Sequence, residues 1–282
     1  MKRIVTIQDI SCVGKCSLTA ALPIISAMGV ETVIVPTAVL SNHTAFDSFT
    51  FHDLTGEIKP IGDEFKKHRI DFDAIYTGYL GSMEQIDIVS DFIDSFKTED
   101  NFVFVDPAMA DMGKLYSGFD MEFAKKMSTL CARADIIVPN MTEAAFMLDI
   151  PYVSGGYSEE YVRDILRSLT QLGAKKAVLT GVSFDEKRIG VMSYDAGSGE
   201  FFSYFNDRID AMYHGTGDVF ASVCVGALAR GGSLEQALRL ATDHTCACIK
   251  KTLEDKNSRW YGVNFEQTMP ELVRSVEEMS AE

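Results

Sequence analysis

Short apolar runs alternate with segments of helical periodicity along most of the chain. After the first run, Leu18, Leu22 and Ile25 follow at the three- and four-residue spacing that predicts a helix with one buried face. The alternation predicts an α/β fold, in which helices cover both faces of a mostly parallel sheet. Pro36 in the second run predicts an edge position or a strand end. The predicted strands are 3–8, 32–39, 72–78, 102–106, 135–140 and 176–181.

The pattern changes near residue 188. The glycine-containing segment AGSG joins two runs, 188–195 and 199–205, which predicts an antiparallel hairpin. No internal repeat or Pro/Ser-rich linker interrupts the chain, so we predict a single domain over residues 1–282. The remainder is predicted to be helical over 218–230, 233–254 and 266–279.

Composition limits the classes of partner. The chain has 282 residues, 46% of them hydrophobic, and a formal net charge of −15. Such an acidic surface argues against nucleic acid and anionic membranes as partners. The six cysteines are scattered, which favours reduced thiols in a cytoplasmic protein without a structural metal. We see neither a signal peptide nor a stretch long enough to span a membrane.

Ligands of open parallel sheets bind beyond the carboxyl ends of the strands. Several polar residues finish the predicted strands, which makes this edge the expected binding site. They are Asp9, the loop 41–47, Tyr79, Asp106, Asn140, Thr180 and Gly181.

The segment ISCVGKCS (10–17) is similar to a phosphate-binding P-loop but does not match it. Asp9 stands where the first glycine is required, and Cys16 follows Lys15 where serine or threonine is required. A dinucleotide fingerprint is also missing. Backbone N–H groups of this segment could still meet a ligand.

Asn140 and Glu143 are three residues apart, directly after a predicted strand. Their oxygens could hold Mg²⁺, directly or through its waters. Helix capping by Asn140 or Thr142 is the alternative, and the sequence does not decide between them. Asp106, at the end of an apolar run, is expected to face a ligand, a metal or a cation, because an unpaired buried carboxylate is costly.

The segment YHGTGDVFAS, which begins at Tyr213, is the most specific. Gly215, Thr216 and Gly217 allow backbone N–H groups to converge on an anion, and Asp218 follows at the expected start of a helix. Asp218 could cap that helix, or it could accept a proton from an attacking hydroxyl during phosphoryl transfer.

These motifs resemble the ribokinase superfamily. GTGD before a helix, PNMTE after a late strand and DP after the middle strand are typical of the superfamily, and SNHT and GYLGS resemble its pyridoxal/pyridoxamine kinases. The match covers about residues 4–254 and implies a ribokinase-like three-layer sandwich. It also implies an ATP- and Mg²⁺-dependent kinase that phosphorylates the 5′-hydroxymethyl group of B6 vitamers.

The resemblance assigns a role to each candidate residue. Asp218 would be the base and Gly215, Thr216 and Gly217 the anion-binding turn. Asn140 and Glu143 would organise Mg²⁺, with Asp106 near the metal and phosphates. ATP would lie along Thr180 and Gly181, with adenine near His244. The substrate ring would be met by Asp9, Ser11, His43, Thr44 and Tyr79.

Three positions depart from the family pattern. Asp9 replaces a serine that meets the substrate ring, Thr180 replaces a frequent lysine, and Ala110 replaces a glycine. With aspartate at position 9 the chain resembles the hydroxymethylpyrimidine kinases of thiamin salvage, although those kinases usually carry cysteine where Asp218 stands. A non-catalytic protein that binds a B6 vitamer is the third alternative. The family also implies a homodimer, and a requirement for a monovalent cation stays open.

Overall fold

A computed structural model describes residues 1–279. Within them the chain forms eleven strands and nine α-helices. The strands are β1 (Arg3–Ser11), β2 (Glu31–Leu40), β3 (Phe51–Asp53), β4 (Ala74–Thr77), β5 (Phe102–Val105), β6 (Ala110–Asp111), β7 (Lys114–Leu115), β8 (Ile136–Ile137), β9 (Lys176–Val182), β10 (Arg188–Asp195) and β11 (Glu200–Asp207). The helices are α1 (Leu18–Ala27), α2 (Thr55–Lys67), α3 (Met83–Phe96), α4 (Met121–Cys131), α5 (Met141–Met147), α6 (Glu159–Gln171), α7 (Thr216–Ala229), α8 (Leu234–Glu254) and α9 (Met269–Met279).

The chain divides into two compact units. One consists of Met1–Tyr76 and Ile209–Glu282, and the other of Thr77–Arg208. The single domain expected from the sequence therefore stays a prediction. Among the described helices, none has both the length and the apolar character that crossing a bilayer requires.

The first unit is built on strands in the order β4-β1-β2-β3, with the last residue of β4 belonging to the second unit. β1 and β2 are parallel, and β3 pairs antiparallel with Ala38, Val39 and Leu40 at the end of β2. Pro36 lies before that antiparallel pairing and opposite Gln8 of β1. The predicted edge character of β2 at this proline is thus confirmed, since a residue without an N–H cannot donate to a second neighbour.

The second unit carries strands in the order β11-β10-β9-β8-β5. β5, β8 and β9 are parallel, whereas β9, β10 and β11 run antiparallel to one another in turn. The predicted hairpin is therefore confirmed. The apolar centre of the second unit includes Val103–Val105 of β5 and Ala177–Leu179 of β9, all fully buried.

Three details differ from the sequence prediction. The strand expected at 135–140 shortens to β8, because Pro139 has no N–H to continue the ladder, which resumes at the bridge between Asn140 and Thr180. Leu22 is 38% exposed, and Ile24 is buried instead. The elements α2, β3 and the β6–β7 hairpin were not predicted.

Candidate active site

A left-handed glycine opens α7 and defines the turn before Asp218. Gly215 is the N-cap residue, with φ 79°, and Asp218 is the third residue of the helix. The interpretation of Asp218 as the cap is therefore wrong. A Cβ at Gly215 would lie 2.3 Å from the carbonyl oxygen of Lys15, so both the backbone angle and the close contact require glycine.

The first turn of α7 offers backbone donors to an anion. The first intrahelical bond runs from the N–H of Val219 to the carbonyl of Gly215. The N–H groups of Thr216, Gly217 and Asp218 come before that bond and therefore have no acceptor within the helix. Gly217 is exposed, and a Cβ there would meet no atom within 4 Å. We call residues 215–218 the anion turn.

Asp9 lies inside β1, where the pairing with β2 shifts register between Gln8 and Ile10. This corrects the expectation that Asp9 follows the strand, because β1 continues to Ser11. Asp9 is 3% exposed and accepts a hydrogen bond from the Ser11 hydroxyl at 2.8 Å. Burial raises the pKa of the Asp9 carboxyl, and hydrogen bonds from Ser17 and Ser11 partly offset that rise.

The thiol of Cys16 is affected by the charges of both Asp9 and Asp218. Its thiol is buried, and burial together with the charges of Asp218 and Asp9 raises the pKa of Cys16. The thiol is therefore protonated at neutral pH, and the carboxyls of Asp9 and Asp218 act on the same sulfur. Cys16 was not among the site residues predicted from the sequence.

His43 uses both ring nitrogens in bonds to the backbone. Nδ1 accepts from the N–H of Ala45 at 3.1 Å, so Nε2 carries the proton and donates to the carbonyl of Tyr261 at 3.1 Å. Burial lowers the pKa of His43, which favours this neutral form. The ring also contacts those of His214 and Trp260. Thr44, which follows, is exposed.

His244 lies within α8 and is 5% exposed. Its Nε2 is 3.5 Å from the hydroxyl of Thr268. Burial lowers the pKa of His244 to about 4, so the ring is neutral. The predicted nucleotide contact of this side chain stays a prediction.

In the second unit, Asn140 and Glu143 form a capping box at the start of α5. The Asn140 side-chain oxygen accepts from the N–H groups of Thr142 and Glu143, and Glu143 Oε2 accepts from the N–H of Asn140 at 2.8 Å. Glu143 Oε1 accepts from the N–H of Met109 at 3.0 Å. The capping alternative is thus present in the structure. Because the carboxylate of Glu143 is already engaged by the backbone, it is better suited to a metal's water than to the metal itself.

Asp106 and Glu143 are two acidic side chains of the second unit whose pKa values are both raised. Burial and then the charge of Glu143 raise the pKa of Asp106, and burial raises the pKa of Glu143, with Asp111 adding a further negative charge. Asp111 was not selected from the sequence. Residues 1–279 contain no group of three or more His, Cys, Asp or Glu side chains arranged to hold a metal. Two carboxyls and an amide nevertheless fit Mg²⁺, which keeps several waters and takes further oxygens from phosphates.

Thr180 and Gly181 lie beside Asn140. Thr180 bridges to Asn140, and its N–H donates to the carbonyl of Pro139 at 3.0 Å. Gly181 has φ 70° and stands at the register shift between β9 and β10, where a Cβ would meet no atom within 4 Å. The bulge leaves the backbone open to a ligand. Tyr79, also in this unit, stacks on Phe119 with ring centroids 5.5 Å apart.

The phosphomethylpyrimidine kinase family model matches residues 14–261 of the chain. The chain belongs to this family. It is therefore a kinase with a ribokinase-like α/β fold, which confirms the resemblance at the level of family and fold.

Three similar proteins show the range of activities around this chain. One is a structure from Bacteroides thetaiotaomicron, provisionally described as a phosphomethylpyrimidine kinase and crystallised with pyridoxal. Its sequence is 41% identical and its TM-score is 0.92, and the match covers 96% of this chain and 95% of that one. Pyridoxal kinase from Lactobacillus plantarum is 28% identical with a TM-score of 0.89, covering 99% of both chains. The hydroxymethylpyrimidine/phosphomethylpyrimidine kinase of Haemophilus influenzae is 26% identical, covering 90% of this chain and 93% of the relative.

Proposed function

We propose that this protein is a pyridoxal kinase, which transfers the γ-phosphoryl group of ATP to the 5′-hydroxymethyl group of pyridoxal, pyridoxamine or pyridoxine. The observation that carries the proposal is that the 41%-identical Bacteroides protein was crystallised with pyridoxal. Asp218 in the first turn of α7 supports it, because transfer to a hydroxyl requires a proton acceptor beside the anion-binding donors.

Asp218 accepts the hydroxyl proton as the substrate oxygen attacks phosphorus. The N–H groups of the anion turn donate to the oxygens of the transferring phosphoryl group, and the helix dipole of α7 favours the negative charge there. Because burial and the charges of Asp218 and Asp9 raise the pKa of Cys16, its thiol stays protonated and adds no negative charge beside these two carboxyls.

In the second unit, Asp106, Asn140 and Glu143 would hold Mg²⁺ or its waters. The ion would supply charge neutralisation at the phosphates of ATP. Asp106 would be the direct ligand in this proposal. Both carboxylate oxygens of Glu143 and the amide oxygen of Asn140 accept from backbone N–H groups, whereas the backbone bond of Asp106 is to Oδ1, from the N–H of Ala108 at 3.2 Å, which leaves Oδ2 for the ion. Thr180 and the open backbone at Gly181 would lie along ATP, and His244 near adenine.

The substrate ring would be recognised by five polar or aromatic residues. Asp9 with its partner Ser11 supplies a buried carboxyl, and His43 supplies a ring face, since both of its nitrogens are bound to the backbone. Thr44 and Tyr79 are assigned on the resemblance alone.

Hydroxymethylpyrimidine kinase is the second candidate. It is favoured by the family match and by Asp9, whose carboxyl could accept hydrogen bonds from an amino group on a pyrimidine ring.

Steady-state ADP formation tests both candidates. The purified protein is assayed with Mg·ATP and each of pyridoxal, pyridoxamine, pyridoxine and hydroxymethylpyrimidine, with and without K⁺. We expect the highest kcat/KM with a B6 vitamer. A higher kcat/KM with hydroxymethylpyrimidine would replace the first candidate by the second, and no turnover with any of the four would refute both.

A further inference from the structure

Lys15 stands where a P-loop carries its phosphate-binding lysine, yet its ammonium group points elsewhere. Nζ donates to Glu266 Oε2 at 2.9 Å, to Asn264 Oδ1 at 3.1 Å and to the carbonyl of Val263 at 3.3 Å. Only 19% of the Lys15 side chain is exposed. Three acceptors of this kind satisfy all the donors of an ammonium group.

The backbone around Lys15 adopts an unfavourable conformation. Lys15 has φ 52° and Ser17 has φ 48° with ψ −136°, in a region that residues with a side chain rarely enter. Such a conformation persists only where surrounding contacts fix it. The tether to Val263, Asn264 and Glu266 is one of those contacts.

The same backbone packs directly against the anion turn. The carbonyl oxygen of Lys15 is the atom that a Cβ on Gly215 would strike at 2.3 Å. Gly262 also packs closely on this residue, since a Cβ there would lie 2.7 Å from Cβ of Lys15. A shift of Lys15 would therefore move, or release, the residue that opens α7.

One acceptor of the tether, Asn264, is itself held by two hydrogen bonds. The N–H of Asn264 donates to the hydroxyl of Thr252 at 2.8 Å, and its side-chain amide donates to Asp255 at 3.0 Å. Thr252 belongs to α8 and Asp255 follows it, so Lys15 is anchored to a long, well-packed helix.

We infer that Lys15 is a positioning residue for phosphoryl transfer: through its tether to residues 263–266 it holds its own carbonyl against Gly215 and so keeps the anion turn in its productive shape. It acts through the backbone and does not bind phosphate with its ammonium group. This inference rests on the proposed kinase activity of the anion turn.

Lys15→Met tests the inference, because methionine keeps most of the length and removes the charge. A displacement of about 1 Å in a catalytic group can cost up to about 100-fold in rate. We therefore expect kcat to fall about 10- to 100-fold, with a much smaller change in KM for ATP. Lys59→Met is the matched control, since Lys59 forms an exposed pair with Asp63 on α2, and it should retain wild-type kinetics.

Glu266→Gln separates the tether from direct phosphate binding. It weakens the tether while leaving Lys15 in place, so kcat should fall in the same direction as in Lys15→Met. A phosphate-binding lysine would instead be released by this change and would keep or improve activity. If Lys15→Met does not fold, Glu266→Gln decides the question alone.

Trp260 gives a readout that needs no turnover. It is the single tryptophan, it is 57% exposed, and it lies three residues before Val263, the first residue of the tethered segment. Loosening the segment should increase acrylamide quenching of its fluorescence in Lys15→Met and Glu266→Gln, but not in Lys59→Met. Unchanged kcat and unchanged quenching in both variants would overturn the inference, and so would a raised KM for ATP with unchanged kcat. Wild-type protein without kinase activity would refute the proposed function instead, and quenching would still report on the tether.

Discussion

Replacing Asp218 by asparagine separates a structural from a chemical role of this side chain. Gly215 is the N-cap residue of α7, so asparagine at Asp218 leaves that cap in place and removes a negative charge from the first turn. That charge interacts with the helix dipole by about 0.3–1 kcal/mol. For a chain of this size, 1 kcal/mol corresponds to about 2 °C in the melting temperature.

The chemical role is much larger. General-base catalysis contributes about 10²–10⁴-fold, which is equivalent to about 3–5 kcal/mol of transition-state stabilisation. Asparagine cannot accept the proton, so kcat should fall at least about 100-fold while the melting temperature changes by about 2 °C or less. Removing the charge should also lower the pKa of Cys16, because Asp218 contributes to its rise.

The assay combines pyridoxal phosphate formation with thermal unfolding of the same preparation. ATP and pyridoxal binding should be retained, which equilibrium titration of each ligand checks. A variant that keeps half or more of the wild-type kcat with an unchanged melting temperature would refute Asp218 as the base. If the variant loses activity only because it unfolds, Asp218 is required for the stability of the fold, and the loss of activity would not support its role as the base.

Three further predictions concern the other carboxyls. Since the pKa of Asp106 is raised in the folded protein, the folded state binds more protons than the unfolded state above about pH 4, and the free energy of unfolding should fall as pH rises through the raised pKa. Asp106→Asn should flatten this fall, which urea unfolding between pH 4 and 8 measures, and it should also reduce kcat. Glu143→Ala should destabilise the protein by about 2–5 kcal/mol, because the N–H groups of Met109 and Asn140 lose their acceptor. An unchanged denaturation midpoint would contradict this prediction. Asp9→Ser should change the relative kcat/KM among the vitamers and hydroxymethylpyrimidine by up to about 10-fold, and an unchanged ranking would remove Asp9 from the substrate site.

Features that depend on local spacing could be predicted from the amino-acid sequence alone. Apolar runs separated by helical periodicity were sufficient for the α/β class, the hairpin of β10 and β11, and helices α7 and α8. The three-residue spacing of Asn140 and Glu143 was sufficient to identify the alternatives of capping and metal binding. Gly215 and Gly217 before Asp218 indicated a turn with convergent donors at a helix start.

The long-range hydrogen-bond partners of the polar groups became known from the three-dimensional fold. Asp9 was expected after its strand, and the register shift between β1 and β2 that places it inside β1 depends on a pairing partner more than twenty residues away. Lys15 was recognised as part of an imperfect P-loop, but its acceptors lie near residue 264. Periodicity reports which face of an element is buried, whereas hydrogen-bond partners distant in sequence are fixed only when the elements pack. Periodicity was therefore sufficient for the fold class and the resemblance of short motifs for the family, whereas the hydrogen bonds of Lys15 to residues 263–266 could not be predicted.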